Sequence, residues 1–412
     1  MNYDVIVVGG GAAGFFTAIN AVDKNPNLKI AILERGKEVL SKVRISGGGR
    51  CNVTHAEFMP IDLTKNYPRG EKELRGPFHT FMTGDTMAWF EERGVPLKIE
   101  EDGRVFPVSD SSESIIDCFL KEARIHEIDV KTNHAVKEFQ KSSDCWEVHT
   151  SKGMFKARYL VAATGSNPKI WTLLDQKFHK TVAPVPSLFT FNCKDSRIKN
   201  LPGIATHASV KVKGTKLKSE GPVLITHWGL SGPAILKLSA WGAIELHAKA
   251  YKFEIEINWL HEQTSEEAFF GLQELKSQYT KQYAFKYAQF DLPKRLWQSL
   301  VIASGITEQT RWADLKKEQL RKLATQLTES KFSINGKSTF KEEFVTAGGV
   351  ILQEVNFKTF ESKTHQNLFF TGEILNIDAI TGGFNFQNAW TSGYIAACTL
   401  AEKSLEEKRK TN

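Results

Sequence analysis

The chain has 412 residues, a net charge of +7, 41% apolar and 25% charged residues, so two or three packed units are expected, each able to bury its own core. No apolar run approaches membrane-spanning length, which excludes a transmembrane helix, and the opening lacks the basic start and small-residue cleavage site of a secretory leader. The cysteines, Cys51, Cys118, Cys145, Cys193 and Cys398, are odd in number and never spaced as CxxC, which points to reduced thiols in the cytoplasm, excludes a dithiol redox centre and an ordinary cysteine zinc site, and leaves no metal expected.

In chain order, YDVIVVGGGAAGFFTAINAVDKNP followed by LKIAILE reads as a strand, a glycine turn, a helix and a second strand. Gly9, Gly11 and Gly14 make G-x-G-x-x-G, and Glu34 ends the second strand where a ribose-binding carboxylate belongs. Such a turn lets a backbone approach a pyrophosphate at a helix N-terminus. The next stretch, to about Arg124, is glycine- and proline-punctuated and too irregular for a repeated βαβ fold. Within it, Asp110 to Ser114 looks like the start of a helix over IIDCFLKEARIH. A β-meander then leads into a buried strand, Tyr159 to Thr164, ending at Ala163-Thr164-Gly165.

From Leu188 to about Leu260 the alternation is that of antiparallel strands, and from His261 to about Glu329 it turns helical. The segment Leu188 to Lys341 holds 23 Lys+Arg against 14 Asp+Glu, so the basic excess lies in the middle of the chain. Basic and aromatic residues interleave there, as at Lys294, Arg295 and Trp297 and at Arg311, Trp312, Lys316, Lys317, Arg321 and Lys322. This is read either as a face for a polyanion or as solvated lysines. Short β segments follow, and the chain closes with a strand, a glycine loop and a helix whose charged end after Glu402 is expected to fray.

The motifs VVGGGAAG, SGGGRCNVTH, FPVSDSS, LVAATGS, THWGLSGPAIL, VTAGGV and FTGEILNIDAITGGFNFQNAWTSG together resemble the bacterial FAD-dependent oxidoreductases of the BaiN/RdsA (YhiN-like) group, essentially end to end. The resemblance implies an α/β fold with an α+β insert. A glutathione-reductase-like FAD-binding Rossmann domain (1–187 and 342–412) is interrupted by a β-barrel-like part (188–260 and 331–341) and a small helical part (261–330). It implies FAD contacts at Gly9, Gly11, Ala13, Gly14, Glu34 and Arg35, beside the flavin ring at Gly48, Gly49, Arg50, Cys51 and Asn52, and at Val136, Ala163, Thr164 and Gly165. At the C-terminal end it implies Gly372, Glu373, Asp378, Gly382, Gly383, Phe384, Asn385 and Ala389.

Around the ring, Arg50 is a candidate for pairing with a phosphate or a substrate carbonyl. Cys51 is a candidate general acid or else a small buried hydrophobe, and His227 and His55 either bind substrate or cap turns. Activities linked to the group differ. The leading expectation is NADH- or NADPH-driven reduction of uridine to dihydrouridine in 23S rRNA, held by the basic insert. The alternatives are a small-molecule reductase or oxidase and a flavin-binding sensor. Only one G-x-G-x-x-G unit is present, so nicotinamide is expected to bind transiently, or another electron donor is used.

Overall fold

The computed structural model describes residues 2–338 and 345–411. The chain divides into two compact units, Met1–Val185 with Val345–Asn412, and Pro186–Phe344; the expected junction at 341/342 lies outside the described residues.

The first unit is built on five parallel strands, adjacent in the order Leu368–Phe370, Gly153–Ala162, Tyr3–Val8, Ile30–Leu33 and Asp129–Lys131. The strand Tyr3–Val8 is almost wholly buried, as a central parallel strand must be, which explains why its sequence is an apolar run rather than an alternation. A hairpin of Val136–Ser142 and Cys145–Thr150 pairs antiparallel with Gly153–Ala162, as the meander predicts. Two helices, Ala12–Lys24 and the C-terminal Phe384–Thr411, pack on each other, with Gly393 brought against Thr17 and the Ala13 carbonyl.

The irregular region after Lys42 contains several short helices and a small antiparallel sheet of Thr54–His55, Arg104–Pro107 and Leu97–Ile99. Its helix over Glu113–Ile125 matches the reading, although Ser112 caps it without a side-chain hydrogen bond. The charged end of the chain departs from expectation, because the last helix runs to Thr411. Lys403 bonds Glu361 at 2.7 Å and Asn367 at 2.9 Å, and the Tyr159 hydroxyl donates to Glu407 at 2.8 Å. Local charge density suggested fraying; tertiary partners tie the segment down.

The second unit is a seven-stranded sheet with antiparallel pairings, plus the helices Pro233–Trp241 and Ala243–Ala248 and, further on, Ser265–Gln278, Lys294–Ala303 and Lys317–Thr328. One apolar cluster holds both Val210 and Ile255 of the sheet and Leu296, Trp297 and Leu323 of the helices, so sheet and helices share a core. Trp297 and Trp312 are fully buried in it, which removes them from the interleaved basic and aromatic face that the sequence suggested. Helical spacing put Trp297 on a helix but could not say which side faced water, and Trp312 lies in a short turn, Trp312–Asp314, ahead of the next helix. Among the described residues no helix is long and apolar enough to cross a membrane.

Candidate functional site

The site forms where the parallel strands end. Gly9 sits at φ +115, and a Cβ there would lie 2.3 Å from the Ala163 carbonyl oxygen, so only glycine lets the first loop touch the end of the neighbouring strand. Gly14 closes on the same loop, since its Cβ would lie 2.0 Å from the Gly9 carbonyl. The following helix has Gly11 as N-cap, with no side-chain cap and no acidic residue in its first turn. A Cβ on Gly11 would meet nothing within 4 Å. Amides without intrahelical partners thus face open space at the positive end of a helix, which suits a pyrophosphate.

Glu34 braces this loop. Its carboxylate accepts from the Gly10 amide at 2.9 Å and the Gly36 amide at 2.7 Å, and each oxygen keeps a lone pair for a ribose hydroxyl. Backbone bonds join Asn133 to Gly36 and His134 to Glu34, both at 2.8 Å, which brings half-buried Val136 toward the same end; Arg35 is exposed.

On the other side, Gly165, Glu373 and Lys42 gather. Lys42 donates to Glu373 at 2.6 Å and to Ser166 at 3.4 Å, and Glu373 also accepts from the Thr346 amide at 3.3 Å. Lys42 was missed from sequence because its partner lies on the far end of the chain. The hydroxyls of Thr164 and Thr346 are buried without a protein partner. Buried hydroxyls are normally satisfied, so these fit a polar cofactor laid across the strand ends.

The SGGGRCN loop passes through left-handed backbone at Gly47, Gly48 and Gly49, with open space at the last two. Cys51 continues it at φ +61, but the residue is wholly buried and burial pushes its thiol up to about 12. The loop therefore presents backbone, not the cysteine, to any neighbouring group. Arg50 bonds Glu100 at 2.6 Å and Asp110 at 3.4 Å and lies 3.9 Å over the Phe106 ring, so its charge is already matched.

The C-terminal glycines are shaped by the strand Thr54–His55. Gly383, at φ +95, would place a Cβ 2.5 Å from the Thr54 backbone. His55 Nδ1 lies 3.2 Å from the Gly382 carbonyl, and its ring is 4.5 Å from that of Phe384. Burial holds the His55 imidazole below its usual range, against the opposing effect of the Gly382 carbonyl. Asn52, with its amide oriented to match its neighbours, donates to the Thr54 carbonyl and accepts from the Gly383 amide, both at 3.0 Å. The Asn385 side chain is likewise taken up, by the Ala379 amide at 3.0 Å and carbonyl at 3.2 Å, leaving its backbone for other contacts. Gly372 approaches Ala13 and Ala389 where the two long helices meet. Asp378, grouped with the cofactor residues from sequence, is fully buried and ion-paired with Arg69, which gives it a structural role.

His227 belongs to the second unit, exposed at the turn between Lys218–Thr226 and Gly229–Ser231. It lines a cleft of about 540 Å³ with Trp228, Arg295, Pro202 and Thr226, and Trp228 is 41% exposed.

The chain matches the model of the HI0933-like protein Rossmann domain over residues 3–399. It is 26% identical to the 3-dehydro-bile acid delta(4,6)-reductase of Clostridium scindens over 410 residues, 96% of this chain and 98% of that protein. It is equally 26% identical to the ribosomal RNA dihydrouridine synthase of Haemophilus influenzae, over 97% of this chain and 98% of that protein. Among solved structures, the fold is similar to that of 3-ketosteroid-delta4-(5alpha)-dehydrogenase from Rhodococcus jostii RHA1, with a TM-score of 0.53 and 12% identity over 97% of this chain and 96% of that one.

Proposed function

The chain belongs to the HI0933-like Rossmann-domain family of FAD-dependent oxidoreductases, and from that premise we propose that it reduces an activated C=C bond, the C5–C6 bond of a uridine in 23S rRNA, with NADH or NADPH as electron source. The observation that carries the RNA reading is the cleft of the second unit, where an exposed tryptophan stands beside an arginine and a histidine in the part of the chain with the basic excess. Exposed aromatic and guanidinium planes stack unpaired bases, and lysines and arginines match phosphates. The Haemophilus relative is named a ribosomal RNA dihydrouridine synthase.

FAD, when bound, supplies hydride-transfer chemistry at the reacting carbon. The residues of the chain then have separate tasks. Gly11 and the helix it caps hold the pyrophosphate, Glu34 the ribose, and Lys42 with Glu373 the middle of the cofactor. The proton for the adjacent carbon is assigned to His55 rather than Cys51. The imidazole is half-buried beside the Gly382–Gly383 loop and burial weakens its hold on a proton, whereas a buried thiol raised to about 12 is a poor acid.

Dihydrouridine in 23S rRNA, measured by nucleoside mass spectrometry in a deletion strain, tests this. The wild-type gene and Cys51→Ala should restore the modification, and Trp228→Ala and His55→Asn should not. Unchanged dihydrouridine on deletion would sink the RNA reading. The equal identity to the Clostridium relative supports a second reading, reduction of a steroid-like enone, marked by NAD(P)H consumption with conjugated ketones and indifference to RNA.

A further inference from the structure

The second unit assembles three ligand-type side chains on the outer face of its sheet, at a distance in sequence that no motif would reveal. His207 lies on Ala205–Val212, Glu220 on Lys218–Thr226, and His261 in the turn after Lys252–Asn258. Register is the reason. His207 pairs with Pro222 and Ser209 with Glu220, which makes His207 and Glu220 diagonal neighbours, while Ala208 and Val210 point into the core. Ser209 also pairs with Asn258 on its other side, and its hydroxyl donates to the His261 carbonyl at 2.8 Å.

The turn that carries His261 is held from several directions. His261 takes φ +65, the Asn258 amide donates to the Gln263 carbonyl at 2.8 Å, and Leu260 N–H donates back to Asn258 at 2.9 Å. One ligand atom from each of the three residues lies within 4.8 Å of the other two. Glu220 Oε1 is 2.8 Å from His261 Nδ1, and the two imidazoles stack at 3.7 Å with planes 11° apart.

We propose that His207, Glu220 and His261 form a binding site for a borderline divalent cation of the zinc class. Two imidazoles and a carboxylate are a donor set such ions prefer, whereas magnesium and calcium favour oxygen ligands. Donor atoms around a tetrahedral zinc stand roughly 3.3 Å apart, so the present spacing closes by side-chain rotation alone. The histidine ring torsion is broad, and His207 and Glu220 are exposed rather than packed in the core. The stack must open in the process, because a ring nitrogen bonds a metal in the plane of its own ring. Three protein ligands leave a coordination position for water or another donor. The expectation of no metal rested on cysteine spacing; here the ligands are histidines that only the folded register brings together. The bound ion would clamp two strands to the turn after a third.

Zinc titrated into the full-length flavoprotein, with any affinity tag removed and in competition with a chromogenic chelator, tests the site. One zinc per chain is expected, and magnesium should not compete. His207→Ala and His261→Ala should each weaken binding at least about tenfold, since loss of even an outer-shell partner of a metal site has effects of that order. The double variant should lose binding, and His247→Ala, an exposed histidine elsewhere in the same unit, should keep it. Zinc should raise the melting temperature of the wild type but not of the double variant, whose fold is checked by its melting in chelator. No uptake by the wild type, wild-type affinity in the double variant, or an equal loss in His247→Ala would each overturn the proposal.

Discussion

Cys51 and Gly383 show how differently two residues of one site respond to being read from sequence. A cysteine inside a glycine loop invites a chemical role, yet its thiol is sealed in the core at positive φ. Cys51→Ala should therefore lower stability by about 1 kcal/mol for the small cavity left, with turnover retained; a collapse of turnover with flavin content intact would restore the thiol to the chemistry. Gly383→Ala should do the reverse of a mild change. It strains the backbone by about 1–3 kcal/mol and drives a methyl group into Thr54, so the purified protein should lose flavin absorbance and melt lower. Gly9 and Gly14 were legible because steric demand restricts those positions to glycine, and Glu34 because its spacing from that motif puts a carboxylate at the end of the second strand. Lys42 and the Arg69–Asp378 pair were not, because nothing local marks which distant charge a side chain will meet.

Among the elements, the C-terminal helix carries the most information about how the first unit holds together. Gln387 accepts from Thr54 at 2.6 Å and Thr86 at 3.0 Å, Trp390 donates to the Val53 carbonyl at 2.9 Å, and Tyr67 donates to the Phe384 carbonyl at 2.5 Å. These bonds pin the glycine loop to the small sheet. The strand-loop-helix order was readable from apolar pattern and glycines, and the strands Tyr3–Val8 and Ile30–Leu33 and the end of Gly153–Ala162 from their apolar runs, whereas the half-buried Asp129–Lys131 carried no such signal. The last turns were misread, because charge density describes the isolated segment and not its partners Glu361, Asn367 and Tyr159. Removing residues 403–412 should lower the melting temperature, by about 2–4 °C for each kcal/mol lost in a domain of this size. A frayed tail would leave it unchanged.

At the scale of the whole molecule, the uneven charge was plain in the sequence, but its surface consequences were not, since Trp297 and Trp312 turned inward and Arg321 and Lys322 are met by Glu266 and Glu318. The histidines set a further global property, the response to acid. His179 is buried, with Nδ1 2.7 Å from Glu354 and Nε2 2.9 Å from the Ser362 hydroxyl, and its ring faces His365 at 5.3 Å. Burial lowers its affinity for a proton more than Glu354 raises it, and burial acts in the same direction on His55 and His365. Below the ordinary histidine value of 6.5 the unfolded chain therefore binds protons that the native chain refuses. The stability these groups contribute is fully present above 6.5 and is lost as pH falls toward their folded values. Melting temperature should accordingly drop between pH 7.5 and 5.5, and His179→Gln, which keeps a hydrogen-bonding side chain but does not titrate, should shrink that drop. An unchanged drop in the variant would mean that other groups govern the acid limit, and would remove His179 from the account.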